Sequence, residues 1–214
     1  MTIRAKLYVA ILLTVIGPVI TIAVALHGMD RLGDRFDEVQ IRSDQRALAL
    51  GLKFDVTDFN GWQTAYGYDE GASRPRFEHS VRQFRIDLAA ARNELTDARE
   101  RRLLTEIRAR FGQFMGLDRE AYAALRRGDD ARVKQIFLGP ELRLFDQMAS
   151  RADELAQYEA RSATVTEKEF SDSREESRRG LIAVALGAGL VIILLLVTAS
   201  DIARMALDSQ RVRR

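Results

Sequence analysis

The stretch FEHSVRQFRIDLAAARNEL, residues 77–95, decides the fold. Its apolar residues Phe77, Val81, Phe84, Leu88, Ala91 and Leu95 are four and three positions apart in strict alternation. That interval returns to one face of a helix at every turn, whereas a half-buried strand repeats every second residue. The same alternation is the spacing of helices packed side by side.

Working toward the N-terminus, Leu48, Leu52, Val56, Phe59, Trp62 and Tyr66 form a second stripe. Leu32, Phe36 and Val39 continue it upstream, past a polar interruption from Arg42 to Arg46. Gly67, Gly71 and Pro75 break the helix before the central stretch. Toward the C-terminus, Thr96-Asp97 offers an N-cap. Leu104, Ile107, Phe111, Phe114, Leu117, Ala121 and Leu125 then make a third stripe. Gly128-Asp129-Asp130 ends that helix and caps a short one over 131–138, and Gly139-Pro140 predicts another break. Leu144 or Phe145, Met148, Ala152, Leu155 and Tyr158 mark the last long helix, mostly polar from Ser162 to Arg179. No Val/Ile/Thr run of period two occurs, so strands are not expected.

Two apolar runs flank this helical region. Leu7 to Leu26 and Leu181 to Ser200 are each 20 residues long and free of charge. As helices each spans roughly 30 Å, the thickness of a bilayer's hydrocarbon core. The first run has a competing reading: a basic start and Ala23-Val24-Ala25 resemble a cleaved export signal. The apolar stretch is longer than a usual signal core, and the stripe continues after it, which favours an uncleaved anchor.

Composition makes sense only when divided along these lines. The 214 residues carry a net charge of +2, a pI near 9.1 and a mean hydropathy of −0.17. Arg4 and Lys6 precede the first run, and the segment after the second is again net +2, which leaves −2 for residues 27 to 180. Short basic ends stay in the cytoplasm while long segments translocate largely regardless of charge. The basicity is thus a topology signal and argues against nucleic-acid binding. The expected organisation is a cytoplasmic N-terminus (1–6), a first transmembrane helix (7–28), an extracytoplasmic domain (29–180), a second transmembrane helix (181–200) and a short basic cytoplasmic tail (201–214). Met29 to Asp69 and Glu141 to Gly180 are 41 and 40 residues, each roughly 60 Å if helical. The fold class expected is all-α: a membrane-anchored antiparallel four-helix bundle flanked by two transmembrane helices, the two long outer helices continuous with the spans. The location expected is a bacterial cytoplasmic membrane, crossed twice.

This architecture resembles the four-helix-bundle sensor domain of bacterial methyl-accepting chemotaxis receptors and related transmembrane signalling proteins. The segment Asp58-Phe59-Asn60-Gly61-Trp62-Gln63-Thr64-Ala65-Tyr66 is the most specific local similarity, and Arg127 to Pro140 resembles the connection into the last helix of that family. The resemblance covers residues 1 to 200 and implies a sensor input domain for a small ligand or partner, working as a homodimer. It departs from the family after the second span, where residues 201–214 carry neither a HAMP linker nor an output domain. A cytoplasmic or membrane signalling partner is therefore expected, with a membrane-anchored assembly bundle, or a truncated receptor, as the alternatives.

Asn60, Trp62, Gln63 and Tyr66 are the candidate ligand-binding residues. Gly61 sits inside a helical stripe at a cost of about 1 kcal/mol against Ala, which often marks a close approach or a bend. Trp62 and Tyr66, one turn apart, combine apolar surface with a polar atom. The plain alternative is that the aromatics fill the core and the glycine admits a neighbour. Arginine outnumbers lysine 29 to four, but Arg74, Arg76, Arg126, Arg127 and Arg132 are read as surface pairs of Asp69, Glu70, Asp129 and Asp130. Ala183, Ala185, Gly187 and Gly189, in two pairs four residues apart, are candidates for close packing of membrane helices, with plain lipid-facing packing as the alternative.

Catalysis is not expected. Cysteine is absent and His27 and His79 are the only histidines, which excludes thiol chemistry, cysteine-ligated metals and a multi-histidine site within one chain. Glu78-His79 lacks the second histidine of a helical zinc site, and Glu175-Glu176 diverge as neighbours on a helix. No enzyme activity and no cofactor are assigned.

Overall fold

A computed structural model describes the backbone of residues 3–211. Every regular element among them is helical. Helix α1 runs Ile3–Tyr68, α2 Arg74–Glu94, α3 Ala98–Leu125, α4 Asp130–Ile136 and α5 Leu142–Arg211. A π-helical turn, Phe137–Glu141, joins α4 to α5.

The chain divides into two compact units, Glu38–Thr166 and the two chain ends up to Asp37 and from Glu167. The first unit holds the core, to which α1, α2, α3 and α5 all contribute. At its centre Phe59 meets Phe84, Phe111 and Phe114, with ring centroids 5.3, 5.7 and 5.2 Å away. Tilted and edge-on contacts of this kind suit the ring quadrupoles, and each buried ring contributes about 1.5–3 kcal/mol through lost water contact. The stripe of α2 is buried throughout, from Phe77 to Leu95.

Four of the six expected stripe positions on α1 are buried, and two are replaced by neighbours. The buried positions are Ala49, Leu52, Asp55, Val56, Phe59, Gln63 and Tyr66, while Leu48 and Trp62 are half-buried. On α3, Asp118 is fully buried and Leu117 only partly. At Leu48, Trp62 and Leu117 the buried position is instead the adjacent residue, Ala49, Gln63 or Asp118. The reason lies in partners: Gln63 and Asp118 satisfy each other inside, so their burial is not penalised.

Helix ends follow local chemistry. Asp97 and Glu100 form a reciprocal capping box at the start of α3. Asp129 caps α4 by accepting from the Arg132 amide. Pro75 stands in the first turn of α2, where a missing N–H costs nothing. Gly139-Pro140, by contrast, does not break the chain as predicted. The wider π turn accommodates the proline within it, and helical structure resumes at Leu142.

In the other unit, Phe36 and Phe170 meet edge-on at 6.4 Å, and Arg35 pairs with Glu169 at 3.3 Å. By length and composition one helix among the described residues, reaching Val197, is long and apolar enough to cross a membrane. Its Leu181, Ile182, Leu186, Leu190, Ile193 and Leu196 are exposed. The side chains of residues 1–15, 18, 194, 198, 201–203 and 205–214, and so much of the expected first span and basic tail, lie outside the described residues.

Candidate functional site

Four separate elements bring polar side chains together within the core of the Glu38–Thr166 unit. Gln63 and Tyr66, three apart, share a face of α1. Glu70 and Gly71 then adopt positive φ, 56° and 95°, which reverses the chain. Asp69 secures this turn by accepting from the Ser73 amide at 3.1 Å and the Ser73 hydroxyl at 2.5 Å. The hydroxyl bond, with the turn amides, holds the Asp69 carboxyl below its usual range. The reversal delivers Arg74, first residue of α2, back over Tyr66.

Asp118 of α3 is the hub. Its carboxylate accepts a bidentate pair from the Arg74 guanidinium at 2.8 and 2.9 Å, the Tyr66 hydroxyl at 2.5 Å and the Gln63 amide at 3.3 Å. The fork geometry matches both carboxylate oxygens and is the strong form of this interaction. Rings of Tyr66, Phe77 and Tyr122 surround the guanidinium, 5.0, 4.7 and 4.4 Å from their centroids. Burial, followed by the Asp118 charge, pushes the Tyr66 phenol far above its ordinary pKa, so it is a permanent donor.

Glu141 completes the cluster from the π turn. It is buried and accepts from the Gln63 amide through Oε1, while its Oε2 has no hydrogen-bond partner. Burial raises its pKa to about 8; the Gln63 bond and Arg74 oppose the rise, and the Asp118 charge adds to it. At neutral pH the group is a carboxylic acid, and the Arg74–Asp118 pair beside it is charge-balanced.

Gln63 and Glu141 also form the inner wall of a cleft of about 740 Å³. Asn60, Thr64 and Gly67 of α1 form one side, and Leu125, Val133, Phe137, Leu138 and Leu142 supply apolar surface. Tyr68, Glu70, Arg126, Asp130 and Lys134 add an exposed polar rim, and the volume is that of a small-ligand site. Gly67 is required here: a Cβ at that position would lie 2.4 Å from the Phe137 ring. A second hollow of about 560 Å³ lies in the other unit near His27 and Glu176, and none of its lining residues is buried.

Of the four residues expected to bind a ligand, Asn60 and Gln63 line this cleft. Tyr66 lies in the polar cluster through its bond to Asp118. Trp62 faces elsewhere, with the Arg76 guanidinium 4.7 Å above its ring. Gly61 admits no neighbour, since the space around it is open; the close approach belongs to Gly67. Arg74 is not paired with Asp69 or Glu70 at the surface but with buried Asp118 and with Glu78, and Arg132 pairs with Glu120. Ala183, Ala185 and Gly187 are exposed and Gly189 half-buried.

Arg74, Asp118 and Glu141 were missed as site residues. The signal available in sequence was Asp118 itself, a charge at a core position between Phe114 and Ala121, seven residues apart. A scan against family models and searches of curated proteins and of solved structures give no match to this chain.

Proposed function

We propose that this chain is the input part of a transmembrane sensor. An antiparallel four-helix bundle on the outer side of a bacterial cytoplasmic membrane takes up a small ligand, and the two apolar helices relay its binding. The observation that carries this reading is the cleft bounded by Gln63 and Glu141, which opens onto a buried polar cluster drawn from four separate elements. Hydrophobic residues alone would pack such a core, and buried polar groups are costly unless satisfied. Their presence beside a ligand-sized cleft fits recognition better than scaffolding. Gln63 and Tyr66 belong to α1, the helix that also contains the first apolar run, and Glu141 directly precedes α5, which contains the second. A ligand that bears on both helices at once has the differential contact with two states that coupling requires.

The active form proposed is a homodimer formed through α1. Leu50, Phe54, Thr57 and Gly61 are all exposed and uncharged, and they repeat at intervals of four and three. That is a second coiled-coil seam on a helix whose first seam is already buried. Signal then passes through the membrane helices to a cytoplasmic or membrane partner.

The test uses the full chain in detergent micelles, screened with amino acids, organic acids and metal ions for a rise in unfolding temperature. The companion measurement is the disulfide-formation rate of F36C/F170C, whose parent rings are in contact. Stabilisation by a compound together with a changed cross-linking rate supports a sensor. Stabilisation by none, with an unchanged rate, favours an anchored assembly protein.

A further inference from the structure

The ligand's chemical class follows from which groups in the cleft are already satisfied. Arg74 is committed to Asp118 and Glu78, and the aromatic rings close around it, so it offers an incoming anion nothing. Arg126 and Lys134 also line the cleft, but both are exposed, and exposed Glu70 and Asp130 beside them offset their charge. Water screens that rim. Deeper in, the permanent charge nearest Glu141 without a route to the cleft is the Arg74–Asp118 pair, which cancels. Tyr66 only donates, and to Asp118. What remains is the Glu141 carboxyl, one oxygen bonded to Gln63 and the other with no partner at all.

We propose that this cleft binds a protonated primary amine bearing an apolar group, its ammonium meeting Glu141 and its apolar part lying against Phe137 and Leu138. An ammonium supplies the donors that the orphaned oxygen lacks, and once the carboxyl is ionised the two pair as opposite charges. The rest of the ammonium's hydrogen-bonding capacity falls to Asn60 and Thr64 at the same wall. Binding displaces the Glu141 proton to solvent, because a carboxylate pairs with the cation better than a neutral acid does. The amine keeps its own proton throughout. This assignment rests on the sensor reading for its biological meaning, though not for its chemistry.

The experiment is calorimetric titration of the full chain in micelles with 2-phenylethylamine, in buffers of differing ionisation heat. A group titrating near 8 in the empty cleft is about nine-tenths protonated at pH 7, so about 0.9 proton should be released per amine bound. Affinity should rise about tenfold between pH 6 and 7 and level off above about pH 8.5. The neutral isostere 2-phenylethanol and the anion 3-phenylpropionate should bind at least tenfold more weakly. E141Q, which keeps a neutral group of the same shape, should unfold at no lower a temperature than the parent and lose both the tight binding and the proton release.

Failure of amine binding, amine binding with no proton release, or equal affinity in E141Q overturns the proposal. So does tighter binding of 3-phenylpropionate, which would leave the sensor reading intact. Amine binding with proton release but no change in F36C/F170C cross-linking would have the reverse meaning: the ligand class stands and the sensor reading falls.

Discussion

Replacement of Asp118 by Asn tests the polar cluster directly. The side chain keeps its shape and remains able to accept from the Tyr66 hydroxyl, but Arg74 loses the charge that both its terminal nitrogens contact. The Arg74 side chain is only 13% exposed, so water cannot replace the carboxylate fully. Removing one partner of a buried ion pair costs roughly 3–5 kcal/mol. Glu78 at 3.2 Å and three aromatic faces stay in place, which sets the expectation at the lower end, about 3 kcal/mol. For a chain of this size that lowers the unfolding temperature by about 10 °C. Trp62, the single tryptophan, lies in the same unit under Arg76 and reports the transition by its fluorescence. The double variant R74M/D118N removes the stranded cation and should return to within about 1 kcal/mol of the parent, since buried pairs replaced together by uncharged groups are often nearly neutral. A single variant within about 1 kcal/mol of the parent, or a double variant less stable than the single, would refute the cluster as drawn.

Two glycines should respond to alanine with opposite signs. G67A places a methyl against Phe137 and should cost about 1–3 kcal/mol, whereas G112A fills open space on α3 and should gain up to about 1 kcal/mol, both read from urea midpoints. Stability should fall as pH rises from about 5 to 8. Burial, with like-charged neighbours Asp87 and Glu100, raises Asp55 and Glu159 to about 7, and burial raises Glu141 to about 8. The native state therefore holds protons that an unfolded chain sheds near pH 4, so this stability is complete below that value and lost through pH 7–8. D55N, E141Q and E159Q should each flatten the profile of unfolding temperature against pH, and a temperature rising across that window would contradict the assignment. If the proposed α1 dimer forms, F54E on the exposed face of α1 should shift the parent's dimer to monomer in analytical ultracentrifugation without lowering the thermal midpoint of Trp62 fluorescence. A parent that sediments as a monomer would refute the dimer.

The helical character of this chain is a local property, and it was legible without a structure. The 4–3 spacing from Phe77 to Leu95 depends on helix geometry alone, and every residue of that stripe is buried. The caps at Asp97 and Asp129 were equally legible, because a side chain reaching an amide two or three residues on needs no distant partner. Periodicity could not choose between adjacent residues when one was smaller or polar. Leu48 and Trp62 drew the α1 stripe by their size, yet the buried positions are Ala49 and Gln63. Size is visible in one residue; satisfaction of a polar group is a relation between two.

That distinction separates what the sequence determined from what the tertiary structure decided. Residue order alone determined an all-helical chain, two long apolar runs, the absence of thiol chemistry and a charge division into three parts. Only the folded chain decided that Asp118, 44 positions from Arg74, receives its guanidinium. It alone decided that Glu141 reaches Gln63 across 78 positions from a π turn that the Gly139-Pro140 pair had suggested as a break. It also moved the needed glycine from Gly61 to Gly67. Helix formation is set by neighbours within four residues. The cost of burying a charge depends on every atom around it, and those atoms come from four separate stretches of the chain.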